Sequence, residues 1–513
     1  MQAKHHGCIL SRTMAELLGM AWSSISVVQI ILVCIVSSGF LLCYKLFIIP
    51  YVKMKKMNLK GPPFKPLIGN LLDYGITKQH IAQIKLREKY GDIYGTQFFQ
   101  IPTIWIGDPD ILKMVMVKEF SNFPNRYSFA KALNPLDKGL PELKDQSWHR
   151  IRNVVLPTFS SSKLKLIYPY ICEMGNHLVE SLISNADGNG RAIEFCQPCS
   201  KFTIEIILAT AFGIEIDNLA EKEKLTRATN IVFGSQPSAL FLLLFTSVRL
   251  FKMIEPMFGE GLASLEYITN VTTKIIKQRR RNMEAGIECR KDFLQQIIEA
   301  GDQDKLNDDE IVGQAFIFLT AGFHTISNTL SFACYLLATN PDKQQKLYQE
   351  IESTFSADQD IDYDTLFELS YLNMVVLETM RIYPAGFFIN RDIKEDKTIN
   401  GIHFAKGAML AVPIYAIHHN PTLWPDPDKF IPERFTEEEK VKRHPFSYIP
   451  FGDGPRNCIG MRLALLEVKL AVAKIVQKME LLTTEKTEIP LEMETGTNLT
   501  APNGIYLAVR KRH

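Results

Sequence analysis

The chemistry of this chain concentrates in ten residues, Phe451-Gly-Asp-Gly454-Pro-Arg456-Asn-Cys458-Ile-Gly460. One cysteine sits in a glycine-rich turn, with an arginine two residues before it. Such a turn fixes a thiol at one point and leaves backbone N–H groups free to aim at the sulfur. An apolar, helix-patterned run follows through Met461, Leu463, Ala464, Leu466, Val468 and Leu470. The positive end of that helix favours a thiolate over a thiol. Gly454 and Gly460 leave room for something large and flat to approach the backbone. The plainer alternative is a buried cysteine in a tight turn.

Other elements must hold this turn and face it. Asn307-Asp-Asp-Glu310 is a helix start, with a capping Asn and acids at the positive end of the dipole. The pattern predicts a helix to Thr339, stopped by Asn340-Pro341. At roughly 45 Å it is long enough to cross a domain. Its middle reads Ala321-Gly322-Phe323-His324-Thr325. A mid-helix glycine costs about 1 kcal/mol against alanine, which the close approach of a cofactor face would explain. Trp148 and Arg152 lie at i, i+4 on one helix face. Glu378 and Arg381 lie at i, i+3 and can pair. The apolar alternation over 92–106, broken by Pro102, predicts a small β region. Asn400-Gly401 between Ile399 and Ile402 predicts a hairpin, and Met409–Ile414 a strand of a second small sheet.

The cysteine turn resembles the heme-binding signature of the cytochrome P450 family, Phe-x-x-Gly-x-Arg-x-Cys-x-Gly, at every fixed position. The resemblance extends over roughly residues 60–513. It implies the family's mostly α fold with minor β-sheets. It also implies heme (iron protoporphyrin IX) as cofactor and Cys458 as the axial thiolate of the iron. Phe451 and Arg456 belong to the same turn. Trp148 and Arg152 are similar to a pair that serves a heme propionate, and Arg126 and Arg391 resemble further propionate partners. The order Glu378, Arg381, Arg434 is similar to the family's structural Glu-Arg-Arg triad. In the distal helix Gly322 makes room for oxygen and Thr325 assists proton delivery. His324 departs from the family, which carries an acid there. An imidazole can still carry a proton near neutral pH. Residues 384–390 are expected to line the substrate cavity.

The chain has 513 residues, 46% hydrophobic, and a formal net charge of +2. That suffices for a large core, and nothing in the charge points to nucleic acid. Nine cysteines follow no framework spacing. Cys196-x-x-Cys199 lacks a second pair and reads as reduced thiols. Residues 17–44 carry no charged side chain, enough for one bilayer crossing. Lys45, Lys53, Lys55, Lys56 and Lys60 follow, which places the downstream domain in the cytoplasm. The expected organisation is a tail (1–16), a transmembrane anchor (17–44), a basic and Pro-rich spacer (45–66) and a catalytic domain (67–513). The apolar stretch 238–258 is too short to span a bilayer and is either core or a segment that dips into the membrane beside a substrate entrance. Arg279-Arg-Arg281 reads as a solvated face. Asn270-Val-Thr272 matches a glycosylation acceptor that a cytosolic domain never exposes to the machinery.

The implied activity is that of an endoplasmic-reticulum monooxygenase. It would oxidise a lipophilic substrate with O2 and electrons from NADPH through a flavoprotein reductase. Lys144, Arg150, Lys163 and Lys165 are candidate reductase contacts. Two alternatives stand beside it. Ser327–Phe332, Ala338–Asp342, Ala416–His419 and Leu466–Leu470 look like a thromboxane-synthase-like isomerase of a prostaglandin endoperoxide, although Thr325 speaks against that. The other is a non-catalytic heme protein.

Overall fold

The computed structural model describes residues 27–512 apart from 64, 66–68, 76, 99–100, 128–134, 187–190, 213–218, 234–259, 288, 290–291, 305 and 356–358. The stretch 238–258 therefore lies outside the described residues. So do residues 17–26 of the expected anchor.

The described chain opens with helix α1 (Val27–Cys43), a π-helical turn (Tyr44–Ile48) and helix α2 (Ile49–Met57). Among the described residues no helix is long and apolar enough to cross a membrane. The segment expected to be a spacer is helical up to Met57. It docks on the domain, with Met57 buried and Lys56 paired to Asp396. The Gly95 N–H donates to Lys60 O at 2.8 Å. A Cβ on Gly61 would fall 1.9 Å from Gly95 O, so the two backbones touch only because position 61 is glycine.

After helix α3 (Gln79–Tyr90), strands β1 (Ile93–Phe98) and β2 (Ile101–Ile106) pair antiparallel. Pro102 does not break β2. It pairs with Gln97 of β1, and its other side lies before the ladder to the next strand begins at Thr103, so its missing N–H removes no bond there. Helices α4 (Asp145–Val155), α5 (Ser161–Asn185) and α6 (Cys196–Ile207) follow. Helix α7 (Asp308–Thr339) is the central element. Its start is a full capping box, with Asn307 and Glu310 each bonded to the other's backbone N–H. It is buried along most of its length.

Helix α8 (Ser370–Ile382) leads to strand β3 (Ile389–Asp392) and the hairpin β4 (Lys397–Ile399) and β5 (Ile402–Phe404). Asn400 and Gly401 have φ of 48° and 80°, the left-handed pair that such a hairpin needs. Strand β6 (Met409–Val412) does not join the hairpin. It lies between β2 (parallel) and β3 (antiparallel), giving the sheet order β1-β2-β6-β3. The expected second sheet at this point is thus part of the first. Helix α9 (Ile414–His418) and the long helix α10 (Met461–Lys478) complete the frame. The main core packs α10 and α8 against α5, α6 and α7.

Candidate active site

The cysteine turn is closed by backbone hydrogen bonds from Cys458 N to Phe451 O (2.9 Å), Gly452 N to Ile449 O (3.0 Å) and Asn457 N to Gly454 O (3.0 Å). Gly452 and Gly454 hold φ of 68° and 72°, which other residues adopt only at a cost. At Gly454 space decides as well. A Cβ there would lie 2.2 Å from the Met116 carbonyl oxygen. The room at Gly454 is therefore taken by the Met116 backbone, not by a flat group. Gly460 is the N-cap of α10.

Cys458 is accessible at its surface although protein surrounds it on most sides. Burial raises its thiol. The Gly460 N–H, Arg126 and Arg152 pull the other way without prevailing. Those three groups all favour negative charge at the sulfur.

Arg126 and Arg152 stand near the cysteine, and Arg391 and Arg456 stand near Arg126. Arg456 donates from Nε to Pro124 O (2.7 Å) and from Nη2 to Asn125 Oδ1 (3.0 Å) and Leu143 O (2.9 Å). Its guanidinium carbon lies 4.2 Å from the centre of the Trp148 ring. Arg152 lies over the same ring at 5.7 Å. It grips Asn457 through that residue's backbone oxygen (3.2 Å) and side-chain oxygen (2.7 Å). Asn457, at a variable position of the motif, thus ties α4 to the cysteine turn. Only a polar side chain beside the cysteine hinted at that role in the sequence. Arg391 donates from Nη1 to Asn390 O (2.8 Å).

Buried N–H groups remain without partners on Arg126 (Nε), Arg391 (Nε) and Arg456 (Nη1). Burial first, and mutual repulsion second, holds Arg391 and Arg456 down to about 9. Burial also lowers Arg126 and Arg152. Orphaned, self-repelling guanidinium donors form a site for anions. This donor set fits heme. The propionate carboxylates would satisfy the orphaned N–H groups, and the Cys458 thiol stands near Arg126 and Arg152.

On α7, Ala321 is exposed in mid-helix and Thr325, one turn on, is partly accessible. Thr325 Oγ1 donates to Ala321 O at 2.6 Å. Gly322 faces elsewhere. A Cβ there would meet Ile207 Cδ1 at 3.1 Å, so the glycine lets a side chain of α6 pack close to α7. His324 Nε2 is buried without a partner, and burial lowers the ring to about 4. Burial therefore favours the neutral ring at neutral pH. Of the segment 384–390, Pro384 and Phe387 are buried, while Ala385, Gly386, Phe388, Ile389 and Asn390 keep some access.

The Glu378–Arg381–Arg434 cluster forms as its order suggests. Arg381 and Glu378 are fully buried and doubly bonded at 2.7 and 2.9 Å, and Arg434 Nε lies 3.3 Å from Glu378 Oε1. Of the basic residues expected to meet a reductase, Lys144 is paired with Asp392, Arg150 with Glu310 and Lys165 with Asp364. Among the described residues no group of three acidic, His or Cys side chains is arranged to hold a metal.

The sequence profile described as Cytochrome P450 matches residues 59–509. Cytochrome P450 3A31 of Mesocricetus auratus is 36% identical over 486 residues, which cover 92% of this chain and 95% of that protein. Cytochrome P450 3A17 of Cavia porcellus is 37% identical and Cytochrome P450 3A5 of Homo sapiens 35% identical. Each alignment covers 89% of this chain and 92% of the relative.

Proposed function

The chain belongs to the cytochrome P450 family as a heme-dependent monooxygenase, and on that premise we propose that it oxidises a lipophilic substrate with electrons passed from NADPH through a flavoprotein reductase. The observation that carries the proposal is the convergence of Cys458 with orphaned arginine donors. Cys458 would ligate the iron, and Arg126, Arg391, Arg456 and Arg152 with Trp148 would hold the propionate edge. Bound heme supplies the oxygen-activating iron, and the protein supplies ligand, orientation and electrostatics.

The remaining steps fall to side chains of α7. Thr325 commits its proton to Ala321 O, which leaves its oxygen free to accept a hydrogen bond from the reacting face. His324, neutral and shielded, keeps charge away from that face. We further propose attachment to the endoplasmic reticulum membrane through residues 17–44, with the domain in the cytosol. The lysines after that segment support this orientation.

The thromboxane-synthase-like reading is not favoured. Thr325 is present in the sequence, and Cytochrome P450 3A31 and Cytochrome P450 3A5 are among the similar proteins. One experiment separates the two. Purified heme protein is given a lipophilic compound with reductase, NADPH and O2, and separately a prostaglandin endoperoxide with none of them. Oxidation in the first arm alone is expected, and Cys458→Ala abolishes it. Endoperoxide turnover in the second arm would overturn the proposal.

A further inference from the structure

We infer that His418 is a positioning residue for the iron ligand: its ring holds the chain that enters the cysteine turn at a fixed distance from the end of helix α8.

The His418 side chain is fully buried, 31 residues before the segment it touches. Its Nε2 accepts a hydrogen bond from Ile449 N at 3.1 Å. That assigns the ring proton to Nδ1. Nδ1 is buried without a hydrogen-bond partner. The residue's own carbonyl accepts from Arg381 Nη1 at 2.9 Å. His418 therefore contacts Arg381 through its backbone and Ile449 through its ring. The ring is stacked on Tyr448 (centroids 5.3 Å apart, planes at 20°) and stands edge-on to Trp424. Burial, with His419 and Arg381 nearby, keeps the ring neutral and its Nε2 lone pair available.

Ile449 is the hinge of the turn. Its carbonyl accepts from Gly452 N, and one residue past Pro450 the Phe451 carbonyl accepts from Cys458 N. Pro450 has no N–H, so the Ile449 amide is the last donor before the turn. Among the described residues no strand pairs with it. An apolar side chain at 418 would fill the same volume but leave that amide buried and unpaired. The Glu378–Arg381 pair is thereby linked to Cys458 through one imidazole.

The inference rests on Cys458 as iron ligand, so its test includes an arm that needs no cofactor. His418→Phe keeps the aromatic packing and removes the acceptor. His418→Gln restores an acceptor of sufficient reach, and His418→Asn carries one too short. In the full-length protein, hydrogen exchange at the Ile449 amide is expected to speed up on the order of tenfold in the Phe and Asn variants and to recover in the Gln variant. In the heme-loaded protein, the same two variants shift the midpoint potential and raise the thiol-ligated fraction in the ferrous carbonyl spectrum, and Gln returns both toward wild type. Faster exchange with an unchanged potential and spectrum overturns the positioning role while keeping the bond. If the Phe variant does not accumulate, equal potentials in the Asn and Gln variants overturn it as well. Failure of the Cys458 assignment would show separately, as a Cys458→Ala protein that keeps the wild-type carbonyl spectrum.

Discussion

Arg456 and Trp148 are stacked, with the guanidinium carbon 4.2 Å from the ring centre, and three of the arginine's hydrogen bonds end on Pro124, Asn125 and Leu143. The arginine thus joins the cysteine turn to the segment before α4 and still has Nη1 unpartnered. Lysine cannot reproduce a planar fork over an aromatic face. Arg456→Lys is expected to weaken heme retention by roughly tenfold, a loss of one or two charge-assisted bonds. Heme transfer to apomyoglobin, timed for both proteins, measures it. An unchanged rate would show that Arg456 holds only the protein.

The Glu378–Arg381 pair predicts a large stability effect. Both side chains are fully buried, and Glu378 also accepts from Ile431 N at 3.0 Å. Glu378→Ala leaves two arginines facing an uncharged void, and such losses run to about 3–5 kcal/mol. Urea unfolding of the full chain is expected to show a fall of that size. A fall below about 1 kcal/mol would mean that the arginines find other acceptors.

His324 predicts acid sensitivity. The folded ring sits near 4, below the usual 6.5, because it is buried. Between those values the unfolded chain takes up a proton that the folded chain refuses. Stability is therefore lost as pH falls from 6.5 toward 4, by at most about 1.4 kcal/mol per pH unit from this group. His324→Leu flattens that part of the stability profile. Parallel profiles for the two proteins would place the acid sensitivity elsewhere. His80, also lowered to about 4 by burial, is the first alternative.

Glu467 predicts the opposite slope. It is fully buried on α10, both carboxylate oxygens lack partners, and burial raises it well above its usual 4.5. The folded chain keeps its proton while the unfolded chain releases it, so stability falls as pH rises through 4.5 and beyond, by about 1.4 kcal/mol per unit. Glu467→Gln removes that loss. It is expected to raise the melting temperature at pH 7.5 and to change it little at pH 4.5. Equal shifts at both values would mean that packing, not ionisation, accounts for the difference.

What the sequence made legible was local. Asn307 and Glu310 announce the start of α7 because a capping box lies within four residues. Asn400-Gly401 announces a hairpin because both positions need positive φ. The Glu378–Arg381 pair lies within one turn, and the cysteine turn is a single short motif. What stayed hidden depends on partners far along the chain. The place of β6 beside β2, the backbone of Met116 filling the space at Gly454, Ile207 facing Gly322 and the grip of Arg152 on Asn457 each join remote segments. Spacing along the chain holds no information about such meetings. The uncharged state of His324 was hidden for the same reason, since it is set by what packs around the ring.

The sheet also sets a schedule for the ribosome. Thr103 of β2 pairs with Met409 of β6, so an early strand waits for one made roughly three hundred residues later. At about 5–20 residues per second, the open edge of β2 stands uncovered for something like fifteen seconds to a minute during synthesis. Through that interval a nascent-chain chaperone, or the membrane itself, must shield it from other chains.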